Sequence, residues 1–208
     1  MITAIIASVM LGQHHMTAAA PAQKTAAKAT QCPITGEAAP LDGKFVDYAG
    51  THYVMCCPGC DQTFAKDPAK AIANAQKKGW TIGTFLFDPI SGKRIEPTAN
   101  TMNYKGVRYY FTSKDELTLF KAAPTKYTAA PKKESLTCPV SGEAIGSYSA
   151  ANSYVDFKGN RYFICCPDCV AAFKKDPAKY ADKSAGKLAA AGVHNPSAAD
   201  HKEEEAPK

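Results

Sequence analysis

The chain has 208 residues, of which 45% are hydrophobic, and its formal net charge is +6. This length allows one domain or several small ones. The positive charge comes from lysines spread along the chain, and no stretch combines many arginines with interleaved aromatic residues. The composition therefore argues against a nucleic-acid-binding protein.

The first residues have the features of an export signal. Ile2 to Leu11 form an apolar run, followed by small residues that include Ala20-Pro21-Ala22. This pattern is typical of a signal peptide with a small-residue cleavage site, although no Lys or Arg precedes the run. We predict a signal peptide over 1–22, a linker over 23–31 and a periplasmic or secreted protein. The run is too short to cross a bilayer, and we expect no membrane span in the mature chain.

One cysteine pattern occurs twice in the chain. Cys-Cys-Pro-x-Cys stands at 56–60 and again at 165–169, and one further cysteine precedes each copy. The eight cysteines thus form two sets of four, which are Cys32, Cys56, Cys57 and Cys60, and Cys138, Cys165, Cys166 and Cys169. The flanking residues match as well, since CPITGEA at 32–38 corresponds to CPVSGEA at 138–144. So many matches in the same order indicate an internal repeat.

A copy without cysteines lies between the other two. It begins with DPISGK at 88–93 and continues with YKGVRYYF at 104–111. Asp88 stands where the other copies have their first cysteine, and Thr112, Ser113 and Glu116 stand where they have the remaining three. Asp88 and Glu116 could hold a hard ion, but we expect them to be solvated replacements that remain after a metal site was lost.

The repeat divides the mature chain into modules. We predict modules over 32–78, 88–128 and 138–183. A connecting strand over 79–87 and a linker over 129–137 join them, and a disordered tail covers 184–208. Units of this size bury little apolar surface on their own. We therefore expect the middle module, which has no cysteine, to depend on its neighbours and on its aromatic residues.

Each module predicts the same succession of elements. The Cys-Pro-x-Ser/Thr-Gly segment is a tight turn, and a β-hairpin follows around a glycine. The predicted strands are 45–48 and 52–56 in the first module, and 154–157 and 161–165 in the third. Pro58 and Pro167 suit the first turn of a helix, and Asp67 and Asp176 suit the cap of a second one. We predict an α+β fold of three tandem treble-clef-like modules, each a knuckle turn, a β-hairpin and one or two short helices.

The cysteines point first to metal binding, because thiolates hold zinc, copper(I) and similar soft ions. Adjacent residues of a strand face opposite sides, so Cys56 and Cys57 cannot both bind one ion unless the strand ends between them. Two arrangements remain open. Cys32, Cys56 and Cys60 form a three-thiolate site with Cys57 to spare, or all four sulfurs bind. We expect about one zinc or copper(I) ion in each cysteine-rich module.

Two other uses of the cysteines remain open. An even number of cysteines in an oxidising compartment also fits structural disulfides. Cys57-Pro-Gly-Cys60 and Cys166-Pro-Asp-Cys169 are CxxC motifs that open helices, which is typical of redox proteins, and a helix N-terminus is expected to favour thiolate at Cys60 and Cys169. No βαβ pattern surrounds these motifs, which argues against thioredoxin. We expect His52 to be a surface strand residue. No catalytic constellation is found, so we predict a protein that is not an enzyme, with redox activity left open.

The modules resemble the YHS/TRASH group of small cysteine-rich metal-binding modules. The resemblance rests on the aromatic, Gly, Cys, Phe and Pro positions, which fall in register with that family in all three copies. It places Cys56 and Cys60, and Cys165 and Cys169, at the paired metal ligands of the family. The opening cysteine of the family corresponds here to Thr35, Ser91 and Ser141, whereas this chain has Cys32 and Cys138 three positions earlier.

This resemblance implies a function in handling copper, zinc or another heavy metal. It leads us to expect an exported protein that binds soft ions for sequestration, delivery or sensing, with a metal-transport or metal-resistance protein as its partner. The alternatives are a thiol-disulfide redox protein and a structural or interaction module held together by disulfides or zinc.

Overall fold

The computed structural model describes residues 29–40 and 42–194. The predicted signal peptide over 1–22 lies outside these residues. Within them the protein combines short helices with two β-sheets, so the predicted α+β class is confirmed. None of the helices in this part of the chain is long and apolar enough to cross a membrane.

Three antiparallel β-hairpins form the centre of the structure. They consist of β1 (Phe45–Tyr48) with β2 (Thr51–Val54), β4 (Thr101–Tyr104) with β5 (Val107–Tyr110), and β7 (Ser153–Phe157) with β8 (Asn160–Ile164). Each hairpin turns through a residue followed by glycine, both at positive φ. Such two-residue turns match the twist of the strands that they join.

Two helices follow each hairpin. They are α1 (Cys60–Lys66) and α2 (Pro68–Lys77), α3 (Lys114–Ala122) and α4 (Pro124–Tyr127), and α5 (Pro167–Lys175) and α6 (Pro177–Lys183). As predicted, Asp67 and Asp176 cap α2 and α6 by accepting backbone N–H bonds, and a proline follows each of them. Pro58 was expected to lie in a helix, but α1 begins only at Cys60, because Gly59 adopts a left-handed φ of 84°.

Three single strands of the described chain complete the sheets: one joins two hairpins, and the other two add edges. They are β3 (Gly83–Phe85), β6 (Lys133–Ser135) and β9 (Val193–His194). The larger sheet has the order β4-β5-β3-β2-β1-β9, and the smaller one has the order β6-β8-β7. β3 lies within the predicted connecting strand. Residues 129–137 were predicted to be a linker, but they contain β6. The prediction was wrong there because β6 pairs in parallel with β8.

The tail was predicted to be disordered over 184–208, but its first part is ordered. Residues 188–194, which we call the C-terminal strap, run from the smaller sheet to the larger one. Ala189 exchanges two backbone hydrogen bonds with Glu134 of β6, and Val193 and His194 pair with β1. The polar composition of the tail favours disorder. The backbone hydrogen bonds and the packing of Leu188 on the core outweigh it and order the strap. Residues 195–208 lie outside the described part of the chain.

A buried carboxyl group lies beneath the strap. Glu134 is 4% exposed, and one of its oxygens accepts a hydrogen bond from the hydroxyl of Tyr148. The same hydroxyl lies 3.2 Å from the carbonyl oxygen of Gly192 in the strap. Burial raises the pKa of Glu134, and this effect outweighs the opposing influence of Tyr148 and Arg161. The carboxyl group therefore ties β6 and Tyr148 to the C-terminal strap.

The modules differ in how they share their cores. The first has its own cluster of buried residues, which includes Val46, Tyr53, Met55 and Phe64. The middle and third modules share one larger cluster, in which Phe120 of α3 and Phe163 of β8 are fully buried. This shared core agrees with the prediction that the middle module depends on its neighbours and its aromatic side chains.

The knuckle turn of the middle module lies against the third module. Gly92 has a φ of 73°, and its carbonyl oxygen accepts a hydrogen bond of 2.8 Å from the N–H of Tyr154 in β7. A side chain at this position would collide with the carbonyl oxygen of Tyr154. Glycine is therefore required here both for the turn and for the close approach of β7.

Asp88 holds the middle module together at its turn. It was expected to be solvated, but it is 0% exposed. One carboxylate oxygen accepts the N–H of Ile90 at 2.8 Å and lies 3.4 Å from the N–H of Ser91. The other accepts the N–H of Thr112 at 2.9 Å and its hydroxyl at 3.2 Å. The prediction was wrong because these four donors replace water around the charge.

We expect Asp88→Ala to destabilise the protein by about 2–5 kcal/mol, since it leaves buried N–H groups without an acceptor. Asp88→Asn keeps one oxygen and should cost less. Urea unfolding followed by circular dichroism measures both. The exposed Asp115 of α3 provides the control, and Asp115→Ala should change the free energy of unfolding by less than about 0.5 kcal/mol. If Asp88→Ala also lowers the free energy of unfolding by less than about 0.5 kcal/mol, Asp88 does not stabilise the turn.

Glu134 predicts a pH dependence of stability. The pKa of Glu134 in the folded protein is above the ordinary value of 4.5. Between the pKa values of the unfolded and folded states, the folded protein keeps a proton that the unfolded chain releases. The protein therefore loses stability as the pH rises from the lower pKa to the higher one. Glu134→Gln does not titrate. The free energy of unfolding of the variant, relative to wild type, should therefore increase from about pH 4 to pH 7. Urea midpoints across this range test it, with Glu143→Gln at an exposed position as control. A flat difference would contradict the prediction.

Candidate metal centres

Two groups of three cysteines come together in the described part of the chain. Cys32, Cys56 and Cys60 form one triad, and Cys138, Cys165 and Cys169 form the other. In each triad the three sulfur atoms lie within 4.8 Å of one another. Six of the eight cysteines predicted as ligands therefore meet in threes, whereas Cys57 and Cys166 lie outside the triads.

The three segments of each module bring these sulfurs together. The first cysteine comes from the knuckle turn, the second follows the end of a hairpin strand, and the third lies in the first turn of a helix. β2 ends at Val54 and β8 ends at Ile164. The adjacent cysteines of each pair therefore lie beyond the strand, where the strict alternation of side chains no longer applies.

The knuckle turn has the same hydrogen bonds in all three modules. The first residue donates its N–H to the carbonyl of the residue five positions later at 2.8 Å, and it accepts the N–H of the turn glycine at 2.8–2.9 Å. The glycines, Gly36, Gly92 and Gly142, have φ between 73° and 82°. The turn thus forms with either Cys or Asp at its first position.

Three backbone N–H groups converge on the side chain at this first position. Around Cys32 they belong to Ile34, Thr35 and Cys56. Around Cys138 they belong to Val140, Ser141 and Cys165. The equivalent groups around Asp88 are those that bind its carboxylate. Each of these pockets therefore offers hydrogen bonds to a buried anion.

These N–H groups favour the thiolate. Burial alone would raise the pKa of both thiols, since Cys32 and Cys138 are 0% exposed. The hydrogen-bond donors outweigh that effect, lower the pKa of Cys32 and bring the pKa of Cys138 to about 7. Because a metal ion binds the thiolate form, the first ligand of each triad is prepared for it.

The second cysteine of each triad lies beside a hydroxyl group. Thr35 Oγ1 is 3.1 Å from the sulfur of Cys56, and Ser141 Oγ is 3.6 Å from that of Cys165. For Cys56, the Thr35 contact favours the thiolate, but burial and the neighbouring Cys32 outweigh it and raise the pKa. For Cys165, burial and the neighbouring Cys138 raise the pKa. One thiolate per triad is therefore favoured before an ion binds.

The third cysteine of the second triad does not behave as the helix N-terminus suggested. The pKa of Cys169 is raised, first by its hydrogen bond to Cys166 and then by burial. The same bond lowers the pKa of its half-buried partner Cys166. The expectation of a stabilised thiolate at Cys169 was therefore wrong, because the neighbouring sulfur outweighs the helix. Cys60 forms a disulfide with Cys57, with Cα atoms 5.8 Å apart.

The distances suit a soft metal ion. A zinc–thiolate bond is about 2.3 Å long, so the sulfurs of a tetrahedral site lie about 3.8 Å apart. Cys165 and Cys169 have their sulfurs 3.8 Å apart. The other sulfur pairs lie within 4.8 Å of one another, so small side-chain rotations are enough to bring them to the spacing of a tetrahedral site. In the third module the donor set therefore fits zinc or copper(I), and in the first module it does so once Cys60 is reduced.

Other candidate residues lie outside the triads. His52 is in β2 as predicted, although it is half-buried, and its Nδ1 lies 2.7 Å from a carboxylate oxygen of Asp47. Arg161 and Asp156 form the corresponding pair in the third hairpin. In the middle module Glu116 accepts the N–H of Ser113, lies beside the hydroxyl of Thr112 and caps α3.

The contacts of Thr35 and Ser141 with the sulfurs were not predicted, although both residues stand at the position of the family's opening cysteine. The signal was their position three residues after the first cysteine, on the same turn. The burial of Asp88 was also missed, although Asp at the position of a thiolate pointed to an anion there.

Comparison of the chain with models of known protein families, with curated proteins and with solved structures finds no match. The metal-binding interpretation therefore depends on the geometry and chemistry of the two triads.

Proposed function

We propose that this protein holds one soft metal ion, copper(I) or zinc, in each of its two cysteine triads. The observation that carries the proposal is the meeting of three sulfurs from a turn, a strand end and a helix, twice in one chain. Structural disulfides need only pairs of cysteines. A trio around an N–H-bonded thiolate is the arrangement that a soft cation requires.

The proposed role is sequestration, delivery or sensing of the ion and not catalysis. The ligands are thiolates, which bind soft ions strongly. The first sulfur of each site is fully buried, whereas Cys56 and Cys165 are half-buried. Such a site protects the ion on one side and leaves a route for its entry and release on the other. A metal-transport or metal-resistance protein is the proposed partner.

We also propose that the three modules are treble-clef-like members of the YHS/TRASH group and that the protein is exported. The support comes from the sequence register of the three copies, and from the common order of turn, hairpin and two helices. The apolar run at the N-terminus supports export. Detection of the chain in a periplasmic or culture fraction, with an N-terminus near residue 23, would test the location.

One observation favours a second function. Cys57 and Cys60 form a disulfide at the start of a helix, and CxxC motifs in that position exchange electrons with thiols in redox proteins. The alternative is therefore a thiol-disulfide redox protein. Catalysed reduction of insulin by the reduced protein would favour this alternative. A chain that unfolds when a chelator removes its ion would instead favour a structural role for the metal.

The number of ions tests the proposed function. The reduced chain, purified without oxygen, should contain about two zinc or copper ions, as measured by elemental mass spectrometry. Cys165→Ser should lose one of them, because Cys165 belongs to a triad. Cys166→Ser is the matched control, and it should keep both ions if three thiolates suffice. Loss of an ion in both variants would point to four ligands, and no ion in the reduced wild type would overturn the proposal.

A metal site introduced into the middle module would test whether the framework and three cysteines are sufficient. Asp88, Thr112 and Glu116 occupy the positions of the three triad cysteines on an equivalent framework. The triple variant Asp88→Cys, Thr112→Cys and Glu116→Cys should therefore bind about one additional ion per chain. Glu116→Cys alone, which keeps the carboxylate of Asp88, serves as control and should bind none. A triple variant that folds by circular dichroism but binds no additional ion would show that the framework is not sufficient.

A further inference from the structure

The two triads differ in the state of one sulfur. Cys60 belongs to the first triad, and its sulfur is also bonded to Cys57. The equivalent Cys169 of the third module is a free thiol, and so is its neighbour Cys166. A sulfur in a disulfide has no negative charge to give to a metal ion. The disulfide and a three-thiolate site are therefore alternative states of Cys60.

We propose that the first site is gated by oxidation, whereas the third site keeps its ion under the same conditions. This inference rests on the proposed metal-binding function. Formation of the Cys57–Cys60 disulfide leaves Cys32 and Cys56 as the thiols of the first triad. Two thiolates hold a soft ion less tightly than three, so the ion leaves. The chain thus carries one site that releases its ion on oxidation and one that retains it.

The backbone explains why the two sites differ. Gly59 has a φ of 84°, and Cys57, Pro58 and Gly59 form a turn before α1, with the N–H of Cys60 3.3 Å from the carbonyl oxygen of Cys57. In the third module Asp168 stands in place of Gly59 and lies within α5. Glycine adopts a left-handed conformation at little cost, whereas other residues lose about 1–2 kcal/mol there. The left-handed turn that accompanies the Cys57–Cys60 disulfide is therefore favoured in the first module, whereas Cys166 and Cys169 are hydrogen-bonded but not covalently joined.

The oxidation needs an acceptor for two electrons, and a small disulfide such as glutathione disulfide is sufficient. The thiol of Cys57 loses its proton and attacks one sulfur of the oxidant, which forms a mixed disulfide and releases one glutathione thiolate. The sulfur of Cys60 then leaves the metal ion and attacks the sulfur of Cys57, which releases the second glutathione thiolate. The oxidant gains two electrons, the proton passes to one released thiolate, and the metal ion is freed.

The full chain, reduced and loaded with Zn²⁺ without oxygen, allows a direct test. Glutathione disulfide is added in steps, the protein is desalted, and zinc per chain is measured by elemental mass spectrometry. Differential alkylation followed by peptide mass spectrometry locates the disulfides. We expect zinc to fall from about two ions to about one per chain, in step with the disulfide between Cys57 and Cys60.

Three outcomes would overturn the inference, and they are distinguishable. If the disulfide forms and both ions remain, Cys60 is not needed for the first site, and the proposed function stands without the gate. If both ions leave at the same oxidant concentration, the two sites do not differ. If the reduced chain binds no zinc at all, the proposed function fails as well.

Two substitutions test the role of the turn. Gly59→Ala adds a methyl group for which there is open space, since no atom beyond the two neighbouring residues lies within 4 Å, but it strains the left-handed backbone. The oxidant concentration that releases half of the first ion should rise about five- to thirtyfold. Asp168→Gly is the reciprocal change and should lower the concentration that releases the second ion. Unchanged midpoints in both variants would exclude the turn as the cause.

Discussion

At the first position of each knuckle turn, a buried side chain accepts hydrogen bonds from backbone N–H groups. These belong to the turn itself and to a residue just after the second hairpin strand. A thiol group or thiolate occupies this position twice and the carboxylate of Asp88 once. Buried donors that lack an acceptor are costly, so an acceptor must always be present there. This requirement joins the turn to the end of the strand.

The middle module shows that this junction does not need a metal ion. Asp88 satisfies with one carboxylate the donors that a thiolate satisfies elsewhere, and Glu116 caps the helix where the third cysteine would lie. Where Cys replaces Asp, the same donors prepare a thiolate and leave the sulfur free to bind an ion as well. The proposed metal-binding chemistry would therefore be added to a framework that forms without it, which would suit an ion that is carried and exchanged.

Much of the fold and of the site followed from repeated patterns. The hairpins, the caps at Asp67 and Asp176 and the grouping of the cysteines were predicted from local signals, because turn residues and repeat register act over short distances. What was missed depends on partners far along the chain. β6 forms because β8 offers it an edge, and the C-terminal strap is ordered because it reaches two sheets.

The C-terminal strap ends in a strand of two residues at the edge of the six-stranded sheet. Without it, β1 would present a row of unpaired N–H and C=O groups, which is a surface on which strands of other molecules pair. Very short edge strands protect sheets against such pairing. The strap thus limits self-association through the edge of β1. A chain shortened before Ala189 would lose this protection and become prone to aggregation.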